Sequence, residues 1–524
     1  MTLKPLGDSA WLVEFPGKSG EQALARVMGM VNALEHNRPA GVRDVVPSFD
    51  SVAVHFNGDA GIALRKWIEA ASVTDRLPAG KKWEIPVCYG GAHGPDLDEL
   101  AALTGISKDE VITLHSGAIY TVAAVGFSPG FPYLLGLPER LSLPRRRTPR
   151  LAVPAGSVAV AGGQAGIYPF TSPGGWHIVG RTAVTLFDPH AARPALLRSG
   201  DRVRFVQVEK WEPLAKLISP VSEKVGTIEV IRPGALTTVQ DLGRPGYESS
   251  GVSPGGAVDR QALRRANLLV GNDEGAPALE ICVSGPVLKF HTATVVALSG
   301  KSRAVSAGET VDFSPLTGGV RACLAVAGGL RVPMLLGSAA TDLRAGFGGF
   351  LGRALQAGDW LQTGTPGRAP RCGDWHVGRA ERVSIIELRF LAGVQMAWFS
   401  EEARRRFQTE IYQLTPNSDR MGARLTGAGL HLAESREMAS QAVACGSVQV
   451  PPDGQPIVLL AERQTIGGYP QIGHVISVDL PKLARAWPGT QVKFREVTWE
   501  DAQHLRRLEE RDFNLLRTGL ELLK

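Results

Sequence analysis

The chain has 524 residues, 44% hydrophobic and 21% charged, and its mean hydropathy lies close to zero. That is material for three or four cored domains and excludes a disordered chain or a small disulfide scaffold. Its 61 glycines and 35 prolines make about 18% of the chain, above the usual ~12%, and favour a turn-rich β architecture. The net charge of +6 is spread along the whole length, and the clusters Arg145-Arg146-Arg147 with Arg150 and Arg404-Arg405-Arg406 lack interleaved aromatics, so no nucleic-acid partner is expected.

The N-terminal thirteen residues lack the basic start and apolar run of a signal peptide, so no export is expected. The most apolar stretch, 322–340, is broken by Arg331 and Pro333, and no membrane span is expected. Five scattered cysteines, Cys88, Cys282, Cys323, Cys372 and Cys445, form no C-x-x-C pair; a reducing cytoplasm fits them, and neither a zinc site nor a disulfide framework does.

In chain order, Leu24, Val27, Val31 and Leu34 recur at helical spacing, Val52, Val54 and Phe56 alternate, and Leu64, Trp67, Ile68 and Ala71 mark a second helix. Together they predict a small α+β unit ending near the break at 77–80. Short apolar runs then alternate with turns at 119–125, 156–161, 177–187 and 203–208, as in a barrel or sandwich. A proline-interrupted stretch, 209–223, reads as a linker. Beyond it lie strands at 227–231, 294–298, 320–326, 446–450, 475–480 and 492–497, and one strong helix over 260–270, with Asp259 as N-cap and Gly271 as left-handed stop. The tail from Trp499 carries Ala502, Leu505 and Leu508 on one helical stripe.

The chain also repeats itself. Gly156-Ser157-Val158-Ala159-Val160 resembles Gly446-Ser447-Val448-Gln449-Val450, Gly174-Gly175-Trp176 resembles Gly467-Gly468-Tyr469, and 200–205 resembles 489–494, in the same order. Two related β units are the economical explanation.

Two segments, Gly126-Phe127-Ser128-Pro129-Gly130 and Gly251-Val252-Ser253-Pro254-Gly255, match the G-x-S-x-G elbow of serine hydrolases. In that elbow the residue after the serine donates its N–H to the oxyanion hole, and here it is proline, which has none. What remains is two rigid turns that let backbone approach a ligand or a neighbouring strand. No Walker A loop and no H-E-x-x-H or H-x-H spacing occurs. His177 sits among aromatics and glycines, where a hydrogen-bonded structural role competes with a functional one. Polar chemistry is concentrated in Asp453-Gly454-Gln455, Glu462-Arg463-Gln464-Thr465 and Gly467-Gly468-Tyr469, in 240–246 around Asp241 and Arg244, and in 417–422 with Asn417 and Arg420. Acid, arginine and amide in succession can bind a carboxylate or phosphate directionally, and a structural ion pair is the equal alternative.

The motifs GFSPGFPY, VPAGSVAVAGG, GIYPF and Gly175-Trp176-His177 resemble the B subunit of the bacterial ATP-dependent 5-oxoprolinase. TTVQDLGRPG, GVSPGGAVD, Arg420-Met421-Gly422, Arg463-Gln464-Thr465 and Gly467-Gly468-Tyr469-Pro470 resemble its C subunit. The chain thus looks like a fusion of the two. The resemblance implies a mainly β fold with a small α+β N-terminal domain and cyclophilin-like β-barrels in both halves: an α+β domain over 1–80, a barrel over 81–210, a linker over 211–226, a first C-half barrel over 227–375, a second over 376–498, and a C-terminal helix over 499–524. It implies hydrolysis of the 5-oxoproline lactam to glutamate with ATP and Mg²⁺, alongside a separate A subunit, with homo-oligomerisation left open. The family is also related to urea amidolyase and to carboxyltransferase domains, and carries an older association with inhibition of a sporulation histidine kinase; carboxyl transfer and kinase binding are the alternatives. No Met-Lys dipeptide occurs, so covalently attached biotin is not expected. By residue type, Asp241, Asp259, His177 and Glu462 are the catalytic candidates. Phe127, Ser128, Phe131, Tyr133, Gln164, Tyr168, Thr171, Trp176, Arg244, Asn417, Arg420, Asp453, Gln455, Arg463, Gln464 and Tyr469 are the candidates for binding substrate or nucleotide.

Overall fold

The structure is a computed structural model that describes residues 1–17, 20–75, 77, 79–211, 226–298, 300–316, 318–370, 377, 384–436 and 438–522. The expected linker over 211–226 and Cys372 lie almost wholly outside these. No helix among the described residues is long and apolar enough to cross a membrane.

The N-terminal unit is a four-stranded antiparallel sheet with Ala10–Glu14 and Ser51–Phe56 at its centre. Period-two alternation puts Trp11, Val13, Val52 and Val54 on one face, where helices Gly20–His36 and Gly61–Glu69 cover them with Leu24, Val27, Leu34, Leu64 and Ile68. The other face is buried as well. Ala10, Leu12, Val46 and Ala53 pack on Val394, Ala442 and Ala444 from the far end of the chain, so this sheet is a layer between its own helices and the C-terminal half.

Two closed seven-stranded barrels follow the same plan. In each, the first strand lies parallel to the last: Lys82–Tyr89 beside Arg202–Gln207, and Ile385–Ala392 beside Gln491–Glu496. The cyclic order of the remaining strands is identical. Each barrel also carries a two-stranded spur in the same place, Arg150–Val153 with Ser172–Gly174 and Gln441–Ala442 with Ile466–Gly467. The internal repeat seen in the sequence is therefore a repeat of fold: Ser157–Ala161 corresponds to Ser447–Gln449, and Phe205 to Phe494, both core residues.

Between the barrels the expected first C-half barrel is instead a sandwich of two open five-stranded sheets. Val230, Leu288, Phe290 and Leu361 of one sheet meet Val239, Leu279, Ile281 and Leu324 of the other. Alternate residues of the second sheet, Ala278, Ala297, Cys323 and Ala325, face helix Arg260–Leu269 and the C-terminal helix Trp499–Leu522. Asp259 caps the first of these helices by accepting the Ala262 N–H at 2.9 Å, and Gly271 stops it at φ +76°. On the C-terminal helix Ala502 is buried, but Leu508 is exposed and Phe513 and Leu520 make the contact instead. Trp499 stacks on Trp11 with ring centroids 5.4 Å apart, tying the helix to the N-terminal sheet.

The strand expected over 475–480 is a correction. The strand is Gln471–Val475, after which the chain turns into a 3₁₀ segment and helix Leu480–Arg485. Pro481 suits the first helical turn because it has no N–H to satisfy there. Asp479, fully buried, fixes the turn by accepting the Arg389 N–H at 2.8 Å, its Nε at 2.9 Å and its Nη2 at 2.7 Å, with Lys482 at 2.7 Å. Burial opposes the charge on Asp479, but these donors outweigh it and hold the carboxyl below its ordinary pKa. Asp479→Asn is expected to destabilise the fold by about 3–5 kcal/mol at pH 7, measured by urea denaturation. Because the folded pKa is depressed, the carboxylate's contribution is present above the unfolded value near ~4 and is lost as pH falls through the folded one. The gap between wild type and variant should close in strong acid.

Candidate functional site

The corresponding ends of the two barrels meet at the sandwich, and a cleft opens at the junction. Phe127, Ser128, Phe170, Thr171 and Ser172 come from the first barrel, Ser253, Asp342, Arg344 and Ala345 from the sandwich, and Glu462 from the second barrel. The loops are equivalent by the repeat. Residues 126–131 and 168–172 join strands of the first barrel as 415–421 and 460–466 join strands of the second.

The two Ser-Pro-Gly turns build one wall by docking on each other. Gly130 N–H donates to Ser250 O at 2.9 Å, and a Cβ on Gly251 would lie 2.5 Å from Ser128 O. Phe127 is held at φ +66°, a left-handed conformation that a bulky residue adopts only under constraint from its surroundings. Gly126 abuts Ile466 of the second barrel, where an added Cβ would sit 2.7 Å from the isoleucine side chain.

Beneath the cleft is a buried ionic network. Arg420, presented by a turn in which Asp419 accepts the Met421 and Gly422 N–H groups at 2.8 and 3.0 Å, donates from Nε to Glu462 Oε1 at 2.6 Å. It also donates to Glu280 of the sandwich and, at 2.7 Å, to Gly256 O. Burial works against its charge, yet Glu280 and Glu462 outweigh that and raise its pKa above the usual arginine value. Burial pushes Glu462 up; Arg420 opposes the shift, and Asp342 and Glu280 add to it. Arg244, 1% exposed, stacks over Phe347 and donates to Ala340 O, while its Nε and Nη1 have no protein partner. Burial lowers its pKa against the pull of Asp342, Asp241 and Glu462. The cleft, about 30 Å³, is sized for roughly one or two waters as it stands, and its two carboxylates, one of them raised, four hydroxyls and Arg344 at its lip, above an under-bonded arginine, are groups that can bond a polar anion and move a proton.

Of the residues singled out in the sequence, the cleft brings together Phe127, Ser128, Thr171 and Glu462 on its surface and Arg244 and Arg420 beneath it. Phe131, Tyr133, Tyr168 and Trp176 form an edge-to-face aromatic cluster, with Phe131 at 5.0, 5.2 and 5.9 Å from the other three, inside the hydrophobic core that supports the first barrel's wall. His177 donates from Nε2 to Pro144 O at 3.0 Å and does not line the cleft. Asp241 is saturated by Gly243 N–H, Ser338 Oγ and Ala339 N–H at 2.6–2.7 Å, and Asp259 is the helix cap. Asp453 and Gln455 hold exposed turns, the former accepting the Gln455 N–H and the latter the Gly427 N–H. Asn417 and Tyr469 are exposed, and Gln164 sits at the opposite end of its strand from Phe170–Ser172. Gln464 lies beside Gly467 rather than in the cleft. Arg463 points the other way from Glu462, into a separate chamber.

The four candidate acids are thus scattered, and among the described residues no group of three or more His, Cys, Asp or Glu could hold a metal ion. Sequence reading missed Asp342, Arg344, Phe170 and Glu280 as site residues. The stretch 341–349 held a signal, an Asp followed by Arg and a run of glycines. Asp342 closes that turn by accepting the Arg344 and Ala345 N–H groups at 3.1 and 2.9 Å, which sets Arg344 at the lip.

The carboxyltransferase domain, subdomains C and D, matches residues 1–197, and subdomains A and B match residues 250–496. The chain is 38% identical over 304 residues to the 5-oxoprolinase C subunit of Escherichia coli (strain K12), covering 55% of this chain and 97% of that protein. It is 37% identical over 227 residues to the 5-oxoprolinase B subunit of Bacillus subtilis (strain 168), covering 40% of this chain and 93% of that protein. Urea amidolyase of Lachancea kluyveri is 29% identical over 345 residues, 58% of this chain and 19% of that much longer protein. The crystal structure of TTHA0988 superposes with a TM-score of 0.81 at 36% identity, covering 93% of this chain and 99% of that one.

Arg420→Met leaves Glu280 and Glu462 buried without their shared cation and is expected to lower stability by about 3–5 kcal/mol. Adding Glu462→Gln and Glu280→Gln should restore much of the loss. Guanidinium denaturation of the single and triple variants measures both.

Proposed function

From the premise that this chain belongs to the family of the 5-oxoprolinase B and C subunits and their related carboxyltransferase domains, with a B-like and a C-like half in one polypeptide, we propose that it is the B–C component of an ATP-dependent 5-oxoprolinase acting with a separate A subunit. The observation that carries this reading is the cleft itself, which takes its wall of Phe127, Ser128 and Thr171 from the B-like half and Asp342, Arg344 and Glu462 from the C-like half. A site divided in this way makes both halves necessary to one reaction.

A lactam carbonyl is a poor electrophile. Transfer of the γ-phosphoryl group of ATP to its oxygen releases ADP and makes the ring carbon attackable. Water then adds to that carbon and the ring nitrogen leaves with a proton, giving a glutamyl phosphate; a second water releases phosphate and glutamate. In this reading Arg344 and the under-bonded Arg244 attract the substrate carboxylate. The Ser128, Thr171 and Ser253 hydroxyls hydrogen-bond the lactam, and Glu462, raised by burial, accepts the proton of the attacking water. ATP brings its own Mg²⁺. Carboxyl transfer is the second reading, favoured by the match to urea amidolyase. It requires a biotinylated partner, which avidin capture from the source cells would retrieve.

The test is phosphate release from ATP by this protein with an active A subunit, with and without 5-oxoproline, while glutamate is followed. Lactam-stimulated phosphate release matched by glutamate is expected, and no stimulation would overturn the proposal. Glu462→Gln is expected to lower kcat about 10²-fold with little change in KM. In the wild type, activity should fall on the acid side at a pH above the ordinary carboxylate range, because the raised Glu462 must lose its proton to act. That acid limb should vanish in the variant. Arg344→Ala should instead raise KM for 5-oxoproline, read from initial rates.

A further inference from the structure

Behind the cleft, across a single layer of backbone, lies a second and much larger space of about 850 Å³. The partition is made by 253–255 and 461–463, stitched by Gly255 N–H to Ala461 O at 3.1 Å and by Ser253 Oγ to Arg463 O. Ser253 and Glu462 face the cleft, whereas Pro254, Gly255, Ala461 and Arg463 face the chamber. The chamber is enclosed by the N-terminal sheet, the sandwich helix, the second barrel and the C-terminal helix. It opens beside the exposed Arg511, Leu515 and Thr518.

Arginines from four parts of the chain line it, among them Arg43, Arg260, Arg463 and Arg506. The acidic residues of the lining are engaged elsewhere. Glu274 and Glu510 bind Arg264, Asp8 accepts from Ser477, and Glu509 accepts from Gln261. Among the described residues none of the four arginines lies within ion-pair distance of a carboxylate. Arg260 and Arg506 each reach one backbone carbonyl, at 2.8 and 2.6 Å. Arg463, 3% exposed, has no protein partner for Nε or Nη1, and Arg43 has none for Nε. Glu248, buried behind Arg43 and Arg463, is the nearest counter-charge, and it is 1% exposed and outside the lining. Arg260 and Cys445 keep open surface although they lie deep in the protein, because that surface faces the chamber.

Four cations gathered around one space, with a carboxylate, Glu248, behind only two of them, favour an anionic occupant. Planar guanidinium forks converging from several directions suit the tetrahedral oxygens of phosphate, which can accept from all of them. The volume falls within the ~300–1,000 Å³ range of small-molecule sites, and Phe56, Val258, Leu480 and Leu515 supply an apolar wall for an organic body. We propose that this chamber binds a phosphate-bearing small molecule, its phosphate seated on Arg43 and Arg463 with Arg260 and Arg506 nearer the mouth. This chemistry is independent of the lactam reading, since it concerns occupancy of a different compartment and is tested without turnover.

Cys445 supplies the probe. Its thiol opens into the chamber, and burial, opposed by Arg463 and Arg260, raises its pKa, so alkylation is best run under mildly alkaline conditions. The intact protein is treated with iodoacetamide in the presence of ATP without Mg²⁺, of inorganic phosphate, or of neither, and the modified cysteines are quantified by peptide mass spectrometry. Cys88, near Glu209 O and outside the chamber, is the internal reference. Labelling of Cys445 is expected to slow about ten-fold at roughly ten times the Kd, with Cys88 unchanged. Protection by phosphate alone identifies the free ion as a sufficient occupant, and protection by ATP alone identifies an organic phosphate; both support the proposal. Arg463→Met and, nearer the surface, Arg506→Met should each weaken protection about ten-fold or more, with calorimetric titration as the second readout. Unprotected Cys445 at saturating concentrations of both probes, or protection undiminished in a folded Arg463→Met or Arg506→Met protein, would overturn it.

Discussion

One guanidinium, that of Arg420, holds the C-like half together beneath the candidate cleft. It joins Glu280 of the sandwich to Glu462 of the second barrel and reaches Gly256 O between them. None of these three groups is tolerable alone at such depth: two carboxylates would repel each other, and an unpaired arginine would lack solvation. Gly256 is required in turn, since its φ of +80° and the Gly243 N–H only 2.6 Å from where a Cβ would stand leave no room for a side chain. The cleft above inherits its electrostatics from this arrangement. Glu462 is both a strut and a wall of the cleft, and its proton affinity reflects the balance between burial and Arg420.

Much of the architecture was legible because it rests on periodicity and on local stop and start chemistry. The Asp259 cap and the Gly271 stop bracket a helix, and the Gly-Ser-Val strands recur with the same neighbours, which is why two barrels of equal topology followed from a repeat in sequence. Where three-dimensional context decides, the reading failed. The segment 475–480 is apolar and alternating, yet Asp479 and Pro481 turn it into a helix start because a distant Arg389 supplies the donors. Residues 227–375 show strands in plenty, and no local feature distinguishes a closed barrel from two open sheets; that depends on which edges pair.

The candidate site was legible only in part, for the same reason. Glu462, Arg420 and Arg244 stood out as charges in unusual company, and depth explains them. Asp241 and Asp259 stood out equally; the first proved to be saturated by backbone and hydroxyl donors and the second to cap a helix with Arg485 at 3.4 Å, roles that no sequence pattern separates from catalysis. The aromatics Phe131, Tyr133, Tyr168 and Trp176 carry the family resemblance strongly because they build the core that props up the first barrel's wall, one step removed from the cleft. Asp342 and Arg344 escaped notice because their importance comes from a turn that folds back from the sandwich toward two loops far away in the chain.

The repeat has a consequence for what such a cleft can distinguish. Equivalent loops of two like barrels face each other, but one pair has become aromatic and hydroxyl-bearing, with Phe127, Ser128, Phe170 and Thr171, while the other has become ionic, with Arg420 and Glu462. A pair of identical jaws would receive a ligand equally well either way round. Jaws that share a backbone plan and differ in chemistry give any asymmetric occupant one preferred heading, so the divergence of the two copies, more than the fold they share, decides which end of it would face Glu462.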